Sequence, residues 1–221
     1  FKRGIYKLKR KIVSDTLAIG MSPFLMNSCA CLVVILINRG LGAYGGDLAI
    51  GAYGIVNRIL FLFIMIVMGL NQGMQPIAGY NYGAQAFGRV RQVLRYTIYG
   101  ATAITTSGFL VGELIPELCI KAFTTDRQLI DIAVRGMRIV VMFYPIIGFQ
   151  MATTNFFQSI GHAGKSIFLS LTRQLLFLIP LLVLLPRTWG LDGVWYSMPI
   201  SDLAASLVAG FMLISQYKKF K

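Results

Sequence analysis

Long runs of apolar residues are the feature that most limits what this chain can fold into. There are six, at about 16–37, 49–73, 94–115, 132–157, 167–185 and 194–215. Each has roughly the 20 residues that a helix needs to cross the hydrocarbon core of a bilayer. Hydrophobic residues make up 56% of the chain and charged residues only 13%, so too few polar side chains exist to cover a soluble domain. The sequence therefore predicts an all-α membrane protein with six transmembrane helices.

The basic residues are distributed unevenly about these six spans. Of the 21 Lys and Arg, fourteen fall on the side that both termini share and six on the opposite side, where six of the acids also lie. The positive-inside rule then places both termini in the cytoplasm. Because every cytoplasmic segment is basic, the net charge of +13 favours contact with anionic membrane lipid over binding of nucleic acid.

The same pattern suggests a division of the chain into three parts. We expect a basic cytoplasmic linker at 1–13, a six-helix transmembrane lobe at 14–217 and a basic cytoplasmic tail at 218–221. A basic segment that leads directly into a membrane helix is typical of a linker between domains, so we expect this lobe to belong to a longer protein.

The sixth span contains one charged residue, Asp202, and the second span also contains one, Arg58. A charge near the middle of a bilayer costs at least a few kcal/mol unless it faces water or a partner, which makes both residues functional candidates. They lie at similar depth, so they can form an ion pair between helices. Alternatively Asp202 titrates alone, and a switch between these states would couple proton or sodium binding to a conformational change. Arg173, in the fifth span, is expected to extend to the cytoplasmic surface instead.

Polar residues recur on one face of the fourth span. Tyr144, Gly148, Met151, Asn155 and Gln158 follow at steps of four, three, four and three, which is helical spacing. Such a face either lines a wet cavity for a flat, partly apolar ligand or forms ordinary hydrogen bonds between helices. The candidate cavity residues are Asn27, Asn57, Gln150, Asn155 and Gln158. The Thr and Ser residues of the third span can bond to their own backbone, and this span is expected to be scaffold.

Motifs for catalysis are poorly represented. His162 is the only histidine, and neither a hydrolase motif nor a metal-ligand spacing accompanies it. The GxGxxG at 40–45 follows a membrane helix rather than a strand, and Gly164-Lys165-Ser166 lacks the first glycine of a phosphate-binding loop. We therefore expect no enzyme activity, no organic cofactor and no firmly assigned metal.

Several short motifs together resemble the multidrug and toxic compound extrusion (MATE) transporters. Residues 69–77 (GLNQGMQPI) and 79–84 (GYNYGA) are similar to the end of the eighth helix of that family. Residues 156–161 (FFQSIG) and 193–195 (GVW) are similar to parts of its last three helices. The same helices also carry Arg173-Gln174, Pro180, Pro199 and Asp202. The resemblance covers nearly the whole chain.

The resemblance implies a particular architecture and activity. Family members have twelve helices in two six-helix lobes, and this chain would be helices 7–12, partnered by an N-terminal lobe. They export cationic and aromatic compounds in exchange for sodium ions or protons, by rocking between inward-open and outward-open states. For this chain the resemblance implies the same substrates, a coupling ion as the only cofactor, and the bacterial inner membrane as its location.

The family's cation site carries over only in part. Tyr144 matches a tyrosine on the tenth helix, but the acid one turn later corresponds to Gly148, and no acid stands at 21–37 in the seventh helix. Either Asp202 takes over this role, with sodium near Asp202 and Tyr144, or the coupling acid lies in the other lobe. We assign coupling or gating to Asp202, Arg58 and Tyr144.

Three alternatives stay open at this point. A lipid-linked oligosaccharide flippase of the same superfamily would be expected to carry several cavity arginines for pyrophosphate, and this half has Arg58 and Arg173 only. A non-transporting membrane scaffold would tolerate Asp202→Asn. A channel would show passive conductance without countertransport.

Overall fold

The structure, a computed structural model, describes residues 10–217, with side chains at 13, 24, 27–162 and 164–217. Most of the predicted linker and all of the predicted tail therefore lie outside the described residues. Helices account for nearly the whole described chain, and no strand occurs within it. They are α1 (Arg10–Gly83), α2 (Phe87–Leu114), α3 (Pro116–Lys121), α4 (Arg127–Val141), α5 (Tyr144–Ser159), α6 (Ala163–Leu171), a π-helical segment (Thr172–Leu178) and α7 (Ile179–Tyr217).

The first helix reverses direction at Gly46. Its backbone there has φ 65° and ψ −164°, a conformation open to glycine and strained for other residues. A Cβ built on Gly42 would lie 3.3 Å from Ile50 Cδ1, although eight residues of straight helix would separate them by roughly 12 Å. The two parts of α1, before and after Gly46, therefore pack as a hairpin.

The last helix reverses in the same way at Gly190, where φ is 57° and ψ −132°. A Cβ built on Gly193 would overlap the carbonyl oxygen of Leu185, eight residues earlier. The two arms of α7, before and after Gly190, can therefore approach this closely only because residue 193 is glycine. Asp202 lies on the second arm.

These reversals account for the number of membrane passes. By length and hydropathy, two helical stretches of the described chain can span a membrane, 27–83 and 164–217, and a third is added if the bent pair α4–α5 counts as one span. Each long stretch folds back on itself and provides two passes. The 28-residue α2 and the α4–α5 pair, bent by 53°, bring the lobe to six. The predicted all-α six-helix lobe is therefore confirmed.

The bend between α4 and α5 rests against α2. A Cβ on Gly148 would lie 2.5 Å from the carbonyl oxygen of Ala101 and 2.7 Å from Thr105 Oγ1, so no larger residue fits there. The Thr105 hydroxyl also lies 3.1 Å from the carbonyl oxygen of Pro145 at the start of α5. α2 thus acts as a brace for the bend, in agreement with its predicted scaffold role.

Three contacts tie the hairpin tips and α4 together at the opposite end of the lobe from Tyr217. Arg135 forms a salt bridge with Asp192. The ring of Trp195 lies 2.6 Å from a Cβ built on Gly136, and Leu191 lies 2.9 Å from one built on Gly45. The orientation predicted from the sequence makes this the outer end, and we call these contacts the outer staple.

Candidate functional site

A cavity of about 340 Å³ opens between five of the six passes. Both arms of α1, the α4–α5 bend, the π segment and the second arm of α7 contribute to its wall, whereas α2 does not. The residues with polar groups on this wall are Tyr53, Asn57, Tyr144, Arg173, Gln174, Ser201 and Asp202. Most of the remaining wall is aliphatic, with Phe61, Met151 and Met198 among its larger side chains.

An ion pair between the π segment and α7 dominates the polar part of this wall. Arg173 Nε donates a hydrogen bond to Asp202 Oδ1 at 2.6 Å. The side chain of Asp202 is 5% exposed and that of Arg173 34%. A charge-assisted hydrogen bond of this length is among the strong interactions in proteins, and it compensates the cost of holding a carboxylate in an apolar interior.

The π-helical geometry around Arg173 sets this wall apart from the other helices. Thr172–Leu178 is the only segment of the described chain with this geometry, which is rare and frequently found at functional sites. Arg173 is its second residue and Gln174 its third, and both line the cavity. The unusual turn therefore coincides with the cavity wall.

Tyr144 lines the cavity, but its hydroxyl is already engaged. The Tyr144 hydroxyl donates to the carbonyl oxygen of Leu60 on α1 at 2.6 Å, and the side chain is buried. Its ring lies 2.7 Å from a Cβ built on Gly108 of α2. Tyr144 is therefore wedged between α1 and α2, and its contact with Leu60 fixes the position of the α1 arm that carries Asn57.

The electrostatics of the cavity follow from these contacts. Among the described residues, Arg173 and Asp202 are the only ionised side chains on the wall, and they neutralise each other. The rest of the wall is mostly aliphatic but includes aromatic rings and two thioethers, and such groups accept flat, polarisable molecules and organic cations. The cavity can therefore hold such a molecule next to the Asp202 carboxylate. An organic cation at this position would compete with Arg173 for that carboxylate.

Three of the residues predicted from the sequence meet in this cavity: Asp202, Tyr144 and Asn57. The other predicted cavity residues lie elsewhere. Gln150 is buried away from the cavity, and the exposed Asn27 and Gln158 do not line it. Asn155 accepts a hydrogen bond from Gln75 at 3.4 Å, so the interhelical alternative describes it better.

The predicted role of Arg58 as the partner of Asp202 is wrong. Arg58 is exposed on α1 and does not contact Asp202, because successive helical residues differ by about 100° and Asn57 is the one that faces the cavity. Arg173, expected to extend to the cytoplasmic surface, occupies that place instead. The sequence contained the signal, since Arg173 is the only charged residue between 167 and 185.

Comparison with known proteins assigns the lobe to a family. Residues 19–184 match the sequence model of the MatE family, three quarters of the chain. The chain belongs to the MATE family. The multidrug export protein MepA of Staphylococcus aureus (strain MSSA476) is 27% identical over 203 residues, which are 92% of this chain and 44% of that protein.

Solved MATE structures share the fold. The MATE multidrug transporter DinF-BH, solved as a complex, is 36% identical with a TM-score of 0.81, over 94% of this chain and 47% of its own. An inward-facing MATE transporter of the MOP superfamily has a TM-score of 0.85 at 23% identity, over 97% of this chain and 50% of its own. This chain thus spans about half the length of the MATE proteins it matches and corresponds to one lobe.

Three observations bear on the cation site that the resemblance implies for this MATE lobe. The position that the resemblance gives to an acid, Gly148, has no room for a side chain beside Ala101. The Tyr144 hydroxyl is directed at Leu60, and Arg173 holds the Asp202 carboxylate. A sodium ion near Asp202 and Tyr144 stays a prediction, and it would compete with Arg173 for the Asp202 carboxylate.

Proposed function

We propose that this MATE lobe is one half of a secondary transporter that exports cationic or aromatic compounds from bacteria by antiport with sodium ions or protons. A second six-helix lobe would complete the substrate path, and alternation between inward-open and outward-open states would move the substrate. The names of the relatives support the substrate class, since MepA is a multidrug export protein and DinF-BH a multidrug transporter. The apolar, partly aromatic cavity is suited to such compounds.

The observation that carries this proposal is the Arg173–Asp202 pair on the cavity wall. With the pair intact the wall is neutral and an organic cation can enter. When a proton or a sodium ion binds to the Asp202 carboxylate, the positive charge of Arg173 is no longer compensated. At a separation of about 6 Å and an effective dielectric constant of about 20, an organic cation would then be repelled by about 3 kcal/mol. Coupling ion and substrate would thus exclude each other, which is what antiport requires.

The orientation in the membrane follows the charge distribution. We propose that the protein resides in the bacterial inner membrane, with both ends of this lobe in the cytoplasm and its basic segments on anionic lipid. No catalytic step enters this scheme, so we propose a transporter that is not an enzyme. The flippase alternative is less well supported, because Arg173 is the only arginine that the described residues place on the cavity wall, and it is paired.

The test is efflux of a fluorescent cationic dye by the full-length protein, in cells that lack their own pumps, under imposed sodium and proton gradients. Wild type, Asp202→Asn and Arg173→Gln would be compared, with Arg58→Gln as the matched control. We expect gradient-driven efflux in wild type and the control and its loss in the two cavity variants. Efflux that survives Asp202→Asn would move coupling to the other lobe. Absence of efflux for every dye under both gradients would refute the multidrug function for the compounds tested.

A further inference from the structure

Five buried side-chain oxygen atoms outside the cavity lack a hydrogen-bond partner among the described residues, and four of them lie on α5, the π segment and α7. These four are Gln150 Oε1, Thr153 Oγ1, Thr172 Oγ1 and Ser206 Oγ, whereas the fifth, Asn71 Oδ1, lies on α1. Each of the four residues is at most 5% exposed. A buried polar group without a partner is destabilising, and in native proteins nearly all such groups are bonded to protein or to internal water. We therefore expect these four oxygens to bind a hydrogen-bonding partner other than the surrounding protein groups.

All four oxygens lie on elements that meet beside the Arg173–Asp202 pair. Ser206 is one helical turn beyond Asp202, on the same face of α7 and toward its end at Tyr217. Thr172 directly precedes Arg173 at the start of the π segment, which packs on α7. α7 also packs on α5, which carries the other two oxygens. The oxygens thus belong to the interior on the Tyr217 side of the pair, whereas the pair itself lines the cavity.

The hydroxyl groups elsewhere in the lobe show that this arrangement is selective. Thr97, Thr105 and Thr154 each donate to the backbone carbonyl four residues earlier on their own helix, and Ser197 and Ser201 bond within their helix in the same manner. Hydroxyl groups in apolar helices usually make this hydrogen bond to a backbone carbonyl of the preceding turn. The hydroxyls of Thr153, Thr172 and Ser206 make no such bond, so they are turned toward another partner.

We propose that these oxygens bind a cluster of internal water molecules between α5, the π segment and α7. The donor set suits water, because hydroxyls both donate and accept and an amide oxygen accepts, and a buried water typically makes about three hydrogen bonds. At the end of α7, Lys165 donates to Gln216 at 2.6 Å, which continues the polar side chains toward the cytoplasmic surface. The cluster gives Asp202 an aqueous contact separate from the cavity. Its existence is independent of the proposed function, and only its use by a coupling ion rests on that function.

Water access is tested by cysteine labelling of the full-length protein in lipid nanodiscs. In a background with Cys29, Cys31 and Cys119 replaced by Ser, Ser206→Cys is compared with Ala209→Cys, which is also buried on α7 but packs in an apolar cluster. A small methanethiosulfonate reagent should label Ser206→Cys at least tenfold faster. Equal rates at the two positions would overturn the aqueous contact between this cluster and the cytoplasmic surface, whether or not the protein transports any dye.

A second measurement uses the sign of a stability change. Thr172→Val removes the hydroxyl at nearly constant volume, and Thr154→Val is the matched control because its hydroxyl already bonds to the carbonyl oxygen of Gln150 at 2.9 Å. If Thr172 binds water, both variants lose a hydrogen bond and both melt at lower temperature than wild type. A rise in melting temperature for Thr172→Val alone would mean that its hydroxyl is dry and unsatisfied, which would overturn the proposal.

Discussion

Replacement of Arg173 by Gln tests the ion pair directly. The variant keeps a polar side chain of similar reach but leaves the Asp202 carboxylate, 5% exposed, without its cation. Removal of one partner from a buried pair typically costs about 3–5 kcal/mol. Because Arg173 is 34% exposed and water can reach the position, we expect the lower end of that range, about 3 kcal/mol.

The assay is a double-mutant cycle in which the free energy of unfolding of the full-length protein is measured by denaturant titration in detergent. Asp202→Asn and Arg173→Gln are measured alone and together, since the double variant has neither charge and leaves no carboxylate unpaired. We expect the double variant to recover about 2 kcal/mol relative to the sum of the single changes, which is the size of coupling found between contacting charged residues. Arg58→Gln is the control and should stay within about 0.5 kcal/mol of wild type. Additive effects in the cycle, or a larger loss for Arg58→Gln than for Arg173→Gln, would refute the pairing.

Two further predictions concern the bend at the start of α5. Gly148→Ala places a methyl group 2.5 Å from the carbonyl oxygen of Ala101 and should destabilise the lobe by about 1–3 kcal/mol. The control is Gly73→Ala, which should be neutral or stabilising because a Cβ there has no neighbour within 4 Å. Comparison of melting temperatures decides this, and equal tolerance at both sites would contradict the close approach of α2 and α5. Tyr144→Phe removes the 2.6 Å hydrogen bond to Leu60 and should cost about 1 kcal/mol in the same assay. An unchanged or higher stability would show that the hydroxyl does not hold α1.

The six passes could be predicted because their signal is local. A run of apolar residues of sufficient length specifies a membrane helix without reference to its neighbours, and glycines in the connecting segments permit the reversals at Gly46 and Gly190. The family resemblance added the arrangement of these passes as a lobe, which the comparison with solved structures confirms.

The partner of Asp202 could not be predicted in the same way. The depth of a residue in the membrane can be counted along the sequence, and by this count Arg58 lies at a depth similar to that of Asp202. The direction in which a side chain points depends on which helices are neighbours, and this placed Asn57 rather than Arg58 at the cavity. The π segment added to the difficulty, because its residues, TRQLLFL, are ordinary in a membrane helix and do not indicate a wider turn.

The polar stripe of α5 shows a related limit. Helical spacing correctly placed Tyr144, Met151 and Asn155 on one face, but it did not show how far along that face the cavity extends. The cavity includes Met151 and ends before Asn155, which bonds to Gln75 on α1 instead. The same residue types therefore serve as lining at one level and as a link between helices at the next.

The outer staple has a mechanical consequence. Its three contacts join the tip of the first hairpin, the tip of the last hairpin and α4, which are far apart in the sequence. Trp195 fills the space left by Gly136, and the salt bridge from Arg135 crosses the same junction. A body braced at one end in this way resists shear between its helices. A force applied to any one of these elements would then be transmitted to the others, so the proposed alternation between states would rotate the lobe as a rigid body.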